Sequence, residues 1–169
     1  MKALIDLRKI LMTDKHTNFI DRLVDSKPAV IKVADFIKKK GYKVTIPETK
    51  IAPTADQHKS YADNGDLYVD GKIIDFKFRV EVKHSSQKFT NSNDWPWKNH
   101  FFVCAKHSFD NAIPKPHSYF IVSDDLKYFA LIKADTYQAW KTQNKRDKER
   151  GHMETFYNCP LEKITWEKF

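Results

Sequence analysis

Across residues 74–83 every second side chain is apolar and every intervening one is charged: Ile74, Phe76, Phe78, Val80 and Val82 alternate with Asp75, Lys77, Arg79, Glu81 and Lys83. A period of two is the signature of a β-strand, whose successive side chains point to opposite faces. One face of this strand is therefore predicted to lie in the core. The other gathers two acids and three bases on a rigid surface, either as cross-strand ion pairs on a solvated face, each worth under about 1 kcal/mol, or as a chemical site.

The neighbouring segments fill in the rest of the domain. In residues 17–40, Phe19, Ile20, Leu23, Val24, Val30, Ile31, Val33, Ala34, Phe36 and Ile37 recur at helical spacing. Pro28 divides them into two helical pieces, and Gly41 ends the second. "YKVTIP" reads as a short strand and residues 48–63 as a polar loop. After the alternating strand, "TNSNDWPWKN" is a loop and "HFFVCA" a strand, while "HSYFIVS", "DDL" and "KYFALIK" form a hairpin. A short helix follows near residues 134–141, then a basic mobile loop, arm or helix extension over residues 141–152. "ETFYN" and "KITWEKF" are expected as edge strands. This order predicts an α/β (α+β) domain with a mixed central β-sheet flanked by helices. With 169 residues the chain is expected to form a single domain over residues 1–169.

No window approaches the roughly 18 to 20 apolar residues of a membrane span. The opening "MKALIDLRKILM" is interrupted by Asp6, Arg8 and Lys9, unlike a secretory signal, so the expectation is a soluble cytoplasmic protein without a membrane partner. Cys104 and Cys159 are too few for a disulfide framework and suit buried thiols. A formal net charge of +8 favours a polyanion, because Lys and Arg that neutralise phosphates release counterions. Two basic clusters, residues 38–43 and 141–150, supply candidate nucleic-acid contacts in Lys38, Lys39, Lys40, Lys145, Arg146, Lys148 and Arg150.

The charged face suggests a metal site. Asp66 heads the preceding strand, and in a hairpin the start of one strand lies near the end of the next. Asp66 and Glu81 then bring two carboxylates together, a set suited to a hard divalent cation such as Mg²⁺. Lys83 points the same way as Glu81 and can orient an attacking water or offset charge on a phosphate. The register decides whether this works. Asp70 and Gly71 are a two-residue turn signal, and a tight turn there would set Asp66 opposite Asp75, roughly 20 Å from Glu81. Either a bulge or longer loop at residues 70–73 restores the pairing, or Asp63 or Asp75 supplies the acid; the "DFK" of residues 75–77 is a rival D-x-K on the same face.

An acid at the start of one strand with "EVK", residues 81–83, at the end of the next resembles the PD-(D/E)XK nuclease superfamily, and "GDLYVDG" followed by "VEVKH" is similar to its phage-borne and restriction-type members. The resemblance rests on about twenty residues, and Gly65 stands where the signature often has Pro. It implies a restriction-endonuclease-like core and a metal-dependent endonuclease acting on DNA, with RNA as the alternative. Mg²⁺, or Mn²⁺ in its place, would be held by Asp66, Glu81 and the backbone carbonyl of Val82, with Lys83 beside the hydrolytic water. Gln87 would contact the scissile phosphate or the water, and His84 would add a phosphate contact. A homodimer would cut both strands, in the host cytoplasm for a phage-encoded enzyme. The competing expectations are a Holliday-junction-resolvase-like enzyme and a non-catalytic nucleic-acid-binding module that retains the fold. Zinc held by His100, Cys104 and His107 is disfavoured, because His107 falls on the opposite strand face and no Cys-x2-Cys pair is present. Trp95 and Trp97 are expected to pack a loop onto the core rather than to stack on bases.

Overall fold

A computed structural model describes residues 14–48, 65–71, 77–97, 99–146 and 151–169. Asp63, Asp75, Lys148 and Arg150 lie outside the described residues, as do Ile74 and Phe76 of the alternating segment.

Helix α1, Asp14–Lys39, is continuous; the expected division at Pro28 does not occur. A proline inside a helix removes one hydrogen bond and crowds the preceding turn, at a cost of about 3 kcal/mol. The stripe that follows it, Ala29, Val30, Val33, Ala34 and Ile37, is buried against the sheet and offsets that cost. Gly41, at φ +85°, turns the chain out of the helix.

Nine strands follow in two sheets among the described residues. They are β1 (Val44–Thr45), β2 (Leu67–Asp70), β3 (Lys77–His84), β4 (Phe101–Ala105), β5 (Ser118–Val122), β6 (Tyr128–Lys133), β7 (Lys141–Arg146), β8 (Met153–Cys159) and β9 (Ile164–Lys168). The larger sheet has the order β1-β2-β3-β5-β6-β9. Its β3–β5 pair is parallel and the others are antiparallel, so the sheet is mixed, as expected for an α+β fold. The smaller sheet is β4-β8-β7, with a short helix α2, Lys106–Asp110, leaving the end of β4.

Both faces of the large sheet are covered. Leu67, Val69, Val80, Val82, Phe120, Val122 and Phe129 pack beneath α1. On the other face Tyr119, Ile121, Ala130, Ile132 and Ile164 meet Phe101, Val103, Cys104 and Cys159 of the small sheet. The charged face of β3 thus looks toward a second layer rather than into open solvent.

Three expectations change in the C-terminal third. The helix near residues 134–141 is a 3₁₀ segment, Ala134–Ala139. Lys141–Arg146, expected within a mobile loop or helix extension, is a strand paired along its length with β8. "KTQNKR" has no apolar alternation because all six residues are exposed, leaving the sequence no buried face to betray the strand. "ETFYN" lies in the central strand of the small sheet and not at an edge, whereas β9 does close the large sheet.

Candidate active site

The β2–β3 register pairs Leu67 with Val80, Tyr68 with Arg79, Val69 with Phe78 and Asp70 with Lys77. The tight turn at Asp70 and Gly71 is therefore not made. Asp70 and Lys77 are the last pair of the ladder, and its register carries Asp66 past Arg79 to the Glu81 end of β3. Asp66 Oδ2 accepts a hydrogen bond of 2.7 Å from the Val82 amide. A residue's N–H and C=O leave a strand on the same side, so the Val82 carbonyl is also aimed at the edge where Asp66 sits. The first acid, the second acid and the peptide between Glu and Lys meet at one end of the hairpin.

Glu81 carries a cation already. Arg79 Nε lies 2.6 Å from Glu81 Oε1, and the two side chains keep only 13% and 20% of their surface exposed. Arg79 also donates to the Pro114 carbonyl at 3.3 Å. Gly65 explains how Arg79 fits: a Cβ at that position would come within 2.8 Å of Arg79 Cγ, and the backbone there has φ +138°. The proline common in the resembled motif could not adopt that φ, because its ring holds φ near −65°.

Lys83 leaves part of its length in solvent, yet its amine turns inward and donates to the Val103 carbonyl of β4. Desolvation of the ammonium end lowers its pKa from the ordinary lysine value, against opposing pulls from Cys104, Glu81 and Asp66. Glu81 pairs in register with Tyr119 on β5. The Lys83 amine stands 5.9 Å from the Tyr119 ring. Tyr119 and Cys104 share a hydrogen bond, and burial raises the pKa of both. A tyrosine and a thiol held neutral thus line the lysine's inner side. The sequence offers Cys104 only as a disfavoured zinc ligand and gives no signal for Tyr119, because the parallel register of β5 against β3 is set by tertiary pairing across residues 85–117.

The other expected residues are dispersed. His84 belongs to the opposite face of β3, where its ring nitrogens lie 3.2 Å from the carbonyls of Asp25 on α1 and Asp124. Gln87 sits beyond the end of β3; its carbonyl accepts from the Asp124 amide at 3.0 Å and its side-chain amide donates to Ser86 Oγ at 3.4 Å. Lys38, Lys39 and Lys40 are exposed at the end of α1, where cations also complement the helix dipole. Lys145 and Arg146 are exposed on β7.

The three candidate zinc ligands do not converge. His100 packs edge-on to Phe102 at 5.0 Å, Cys104 is in the core, and Nδ1 of His107 lies 2.7 Å from Glu154 Oε1. Among the described residues no group of three or more His, Cys, Asp or Glu side chains is placed to hold a metal ion. Trp95 is buried and stacked on Phe101 at 4.2 Å, with Trp97 edge-on to it at 5.0 Å. No helix among the described residues is long and apolar enough to cross a membrane. Compared with known proteins, the chain matches no family, no curated protein and no solved structure.

Proposed function

We propose that the protein is a metal-dependent endonuclease of the PD-(D/E)XK type, hydrolysing DNA phosphodiester bonds. The observation that carries this reading is the 2.7 Å contact from the Val82 amide to Asp66, which sets the first acid beside the E-x-K segment. The order of α1, the antiparallel β1–β2–β3 strands and a later strand beside β3 supports a restriction-endonuclease-like core.

The residues fit a hard divalent cation. Asp66, Glu81 and the Val82 carbonyl form an all-oxygen donor set with two carboxylates, the kind that binds Mg²⁺ or Mn²⁺. When bound there, the cation supplies Lewis-acid polarisation of a phosphoryl oxygen. The chain's own residues do the rest. The Val82 amide holds the Asp66 carboxylate in orientation. Lys83, with its lowered pKa, is suited to position a water and hold one of its protons. Arg79 brings a fixed positive charge beside Glu81 to meet the phosphate. Lys38, Lys39, Lys40, Lys145 and Arg146 supply salt-sensitive attraction to the nucleic-acid backbone.

A second reading, a nucleic-acid-binding module without cleavage, is favoured by one observation: Arg79 already neutralises Glu81. Incubating the purified protein with plasmid, linear duplex and four-way junctions in Mg²⁺, Mn²⁺ or EDTA separates the two. The enzyme reading expects metal-dependent cutting that Glu81→Ala and Lys83→Ala abolish while DNA binding persists. Junction-selective cutting would assign a resolvase-like role, and double-strand cuts by a species of twice the monomer mass would assign the homodimer. Absence of metal-dependent cutting on all three substrates leaves the binding module.

A further inference from the structure

The small sheet turns one face to the core, and the β4–β8–β7 register defines what the other presents. Phe102 pairs with Asn158, Ala105 with Phe156, and across the next ladder Asn158 with Lys141, Phe156 with Gln143 and Glu154 with Lys145. Phe101, Cys104, Tyr157 and Cys159 take the inner side. The outer side therefore carries Phe102 and Phe156, both half-buried and edge-on to each other at 5.8 Å. His100 packs against Phe102, and Lys145 Nζ stands over the Phe102 ring at 4.6 Å. Lys141, Gln143 and Lys145 are exposed along β7.

Glu154 is the only acid that the register places on this face among the described residues. Two histidines engage it: His107 Nδ1 at 2.7 Å and His152 Nε2 at 3.5 Å. The face thus combines two partly open aromatic rings, a row of cationic and amide side chains, and one carboxylate that is already engaged.

We propose that this face is a stacking platform for single-stranded nucleic acid. Unpaired bases lie on Phe102 and Phe156, and Lys141 and Lys145 run beside them to meet the phosphates. A duplex keeps its base faces stacked internally and cannot use the rings, whereas a single strand can use both rings and cations at once. The cation now over Phe102 leaves for a phosphate when a base takes its place on the ring. The inference rests on nucleic acid being the partner, but not on cleavage.

The test is therefore made in EDTA, by fluorescence anisotropy of labelled oligo-dT, oligo-U and a duplex of the same length. The variants are Phe102→Leu, Phe156→Leu and Phe102→Trp, each checked by circular dichroism and urea unfolding. Leucine keeps apolar bulk and removes the ring face; tryptophan keeps it. The expected result is single-strand binding tighter than duplex binding, weakened roughly tenfold by each Leu variant and retained by Phe102→Trp. Duplex affinity should stay unchanged in all three. Tighter binding of oligo-dT or of oligo-U identifies DNA or RNA as the source of the strand. Equal affinity for duplex and single strand, Leu variants that bind like the wild type, or Leu variants that change only the oligomeric state seen by sedimentation would overturn the proposal. Absence of cutting in the separate Mg²⁺ and Mn²⁺ assay, with single-strand preference present in EDTA, would remove the nuclease reading and leave this one standing.

Discussion

Arg79 and Glu81, two residues apart on β3, close a 2.6 Å ion pair on one carboxylate of the proposed metal site. A guanidinium cannot step aside by losing its proton. A metal ion must therefore compete with it for Glu81. Arg79→Gln is expected to bind Mn²⁺ about fivefold more tightly than the wild type, since a partly exposed pair of this kind contributes roughly 1 kcal/mol. Isothermal titration calorimetry reads the change, with Glu81→Gln as the variant that loses binding. Weaker binding by Arg79→Gln would mean that the arginine supports the site instead of occupying it.

Gly65 is the spatial counterpart of that pair. Gly65→Ala must place a Cβ against the Arg79 stem and hold an L-residue at φ +138°. The expected cost is about 1–3 kcal/mol in urea unfolding. Because the arginine is pushed off its seat, Gly65→Ala should also share the tighter Mn²⁺ binding of Arg79→Gln. A variant as stable as the wild type would show that the chain relaxes freely there.

Asp66 has a structural role as acceptor of the Val82 amide and, under the proposed function, a metal-binding one, and two substitutions separate them. Asp66→Asn keeps a carbonyl oxygen to accept the Val82 amide, whereas Asp66→Ala removes the acceptor. Asp66→Ala should destabilise the fold by about 1–3 kcal/mol and Asp66→Asn by clearly less, while both lose Mn²⁺ binding. Equal stability of the two would argue that the 2.7 Å contact is not formed in solution.

Lys83 predicts a pH dependence of definite sign. In the unfolded chain its amine keeps the proton up to about the ordinary value of 10.5; in the folded protein it gives the proton up at lower pH. Between the two values the unfolded state binds more protons, so this residue makes stability rise with pH. Cys104 acts in the opposite sense, because its raised pKa costs stability as pH climbs past 9.0. Lys83→Met isolates the lysine's share. It should be more stable than the wild type at neutral pH, with the gap narrowing as pH approaches 10.5. A gap that stays constant from pH 7 to 10.5 would contradict an inward-turned ammonium.

The sequence made the β3 strand legible because its alternation is carried by large β-formers on one side and charges on the other. Helix α1 was legible from its apolar spacing, although Pro28 looked like a boundary. Burial of the stripe after Pro28 outweighed that local penalty, and such a balance is not visible in a propensity. The hairpin register went the other way: Asp70 and Gly71 are a strong local turn signal, and the pairing of Leu67 with Val80 overrode it. Strand β7 was hidden because it is exposed on both faces. Tyr119 and Val103, which shape the surroundings of Lys83, were out of reach because Tyr119 meets β3 through long-range strand pairing and Val103 through packing of the small sheet on the large one.

The parallel partner of β3 has a consequence for how the protein matures. Residues 65–86 hold every member of the acid and E-x-K set, yet the carbonyl that receives the Lys83 amine is on β4 and the neutral tyrosine beside Glu81 is on β5. A ribosome must release the chain past Val122 before β3 acquires its second neighbour. The motif is synthesised early, but its chemical environment is completed late, and a hairpin excised from this protein would carry the right letters with an ordinary lysine.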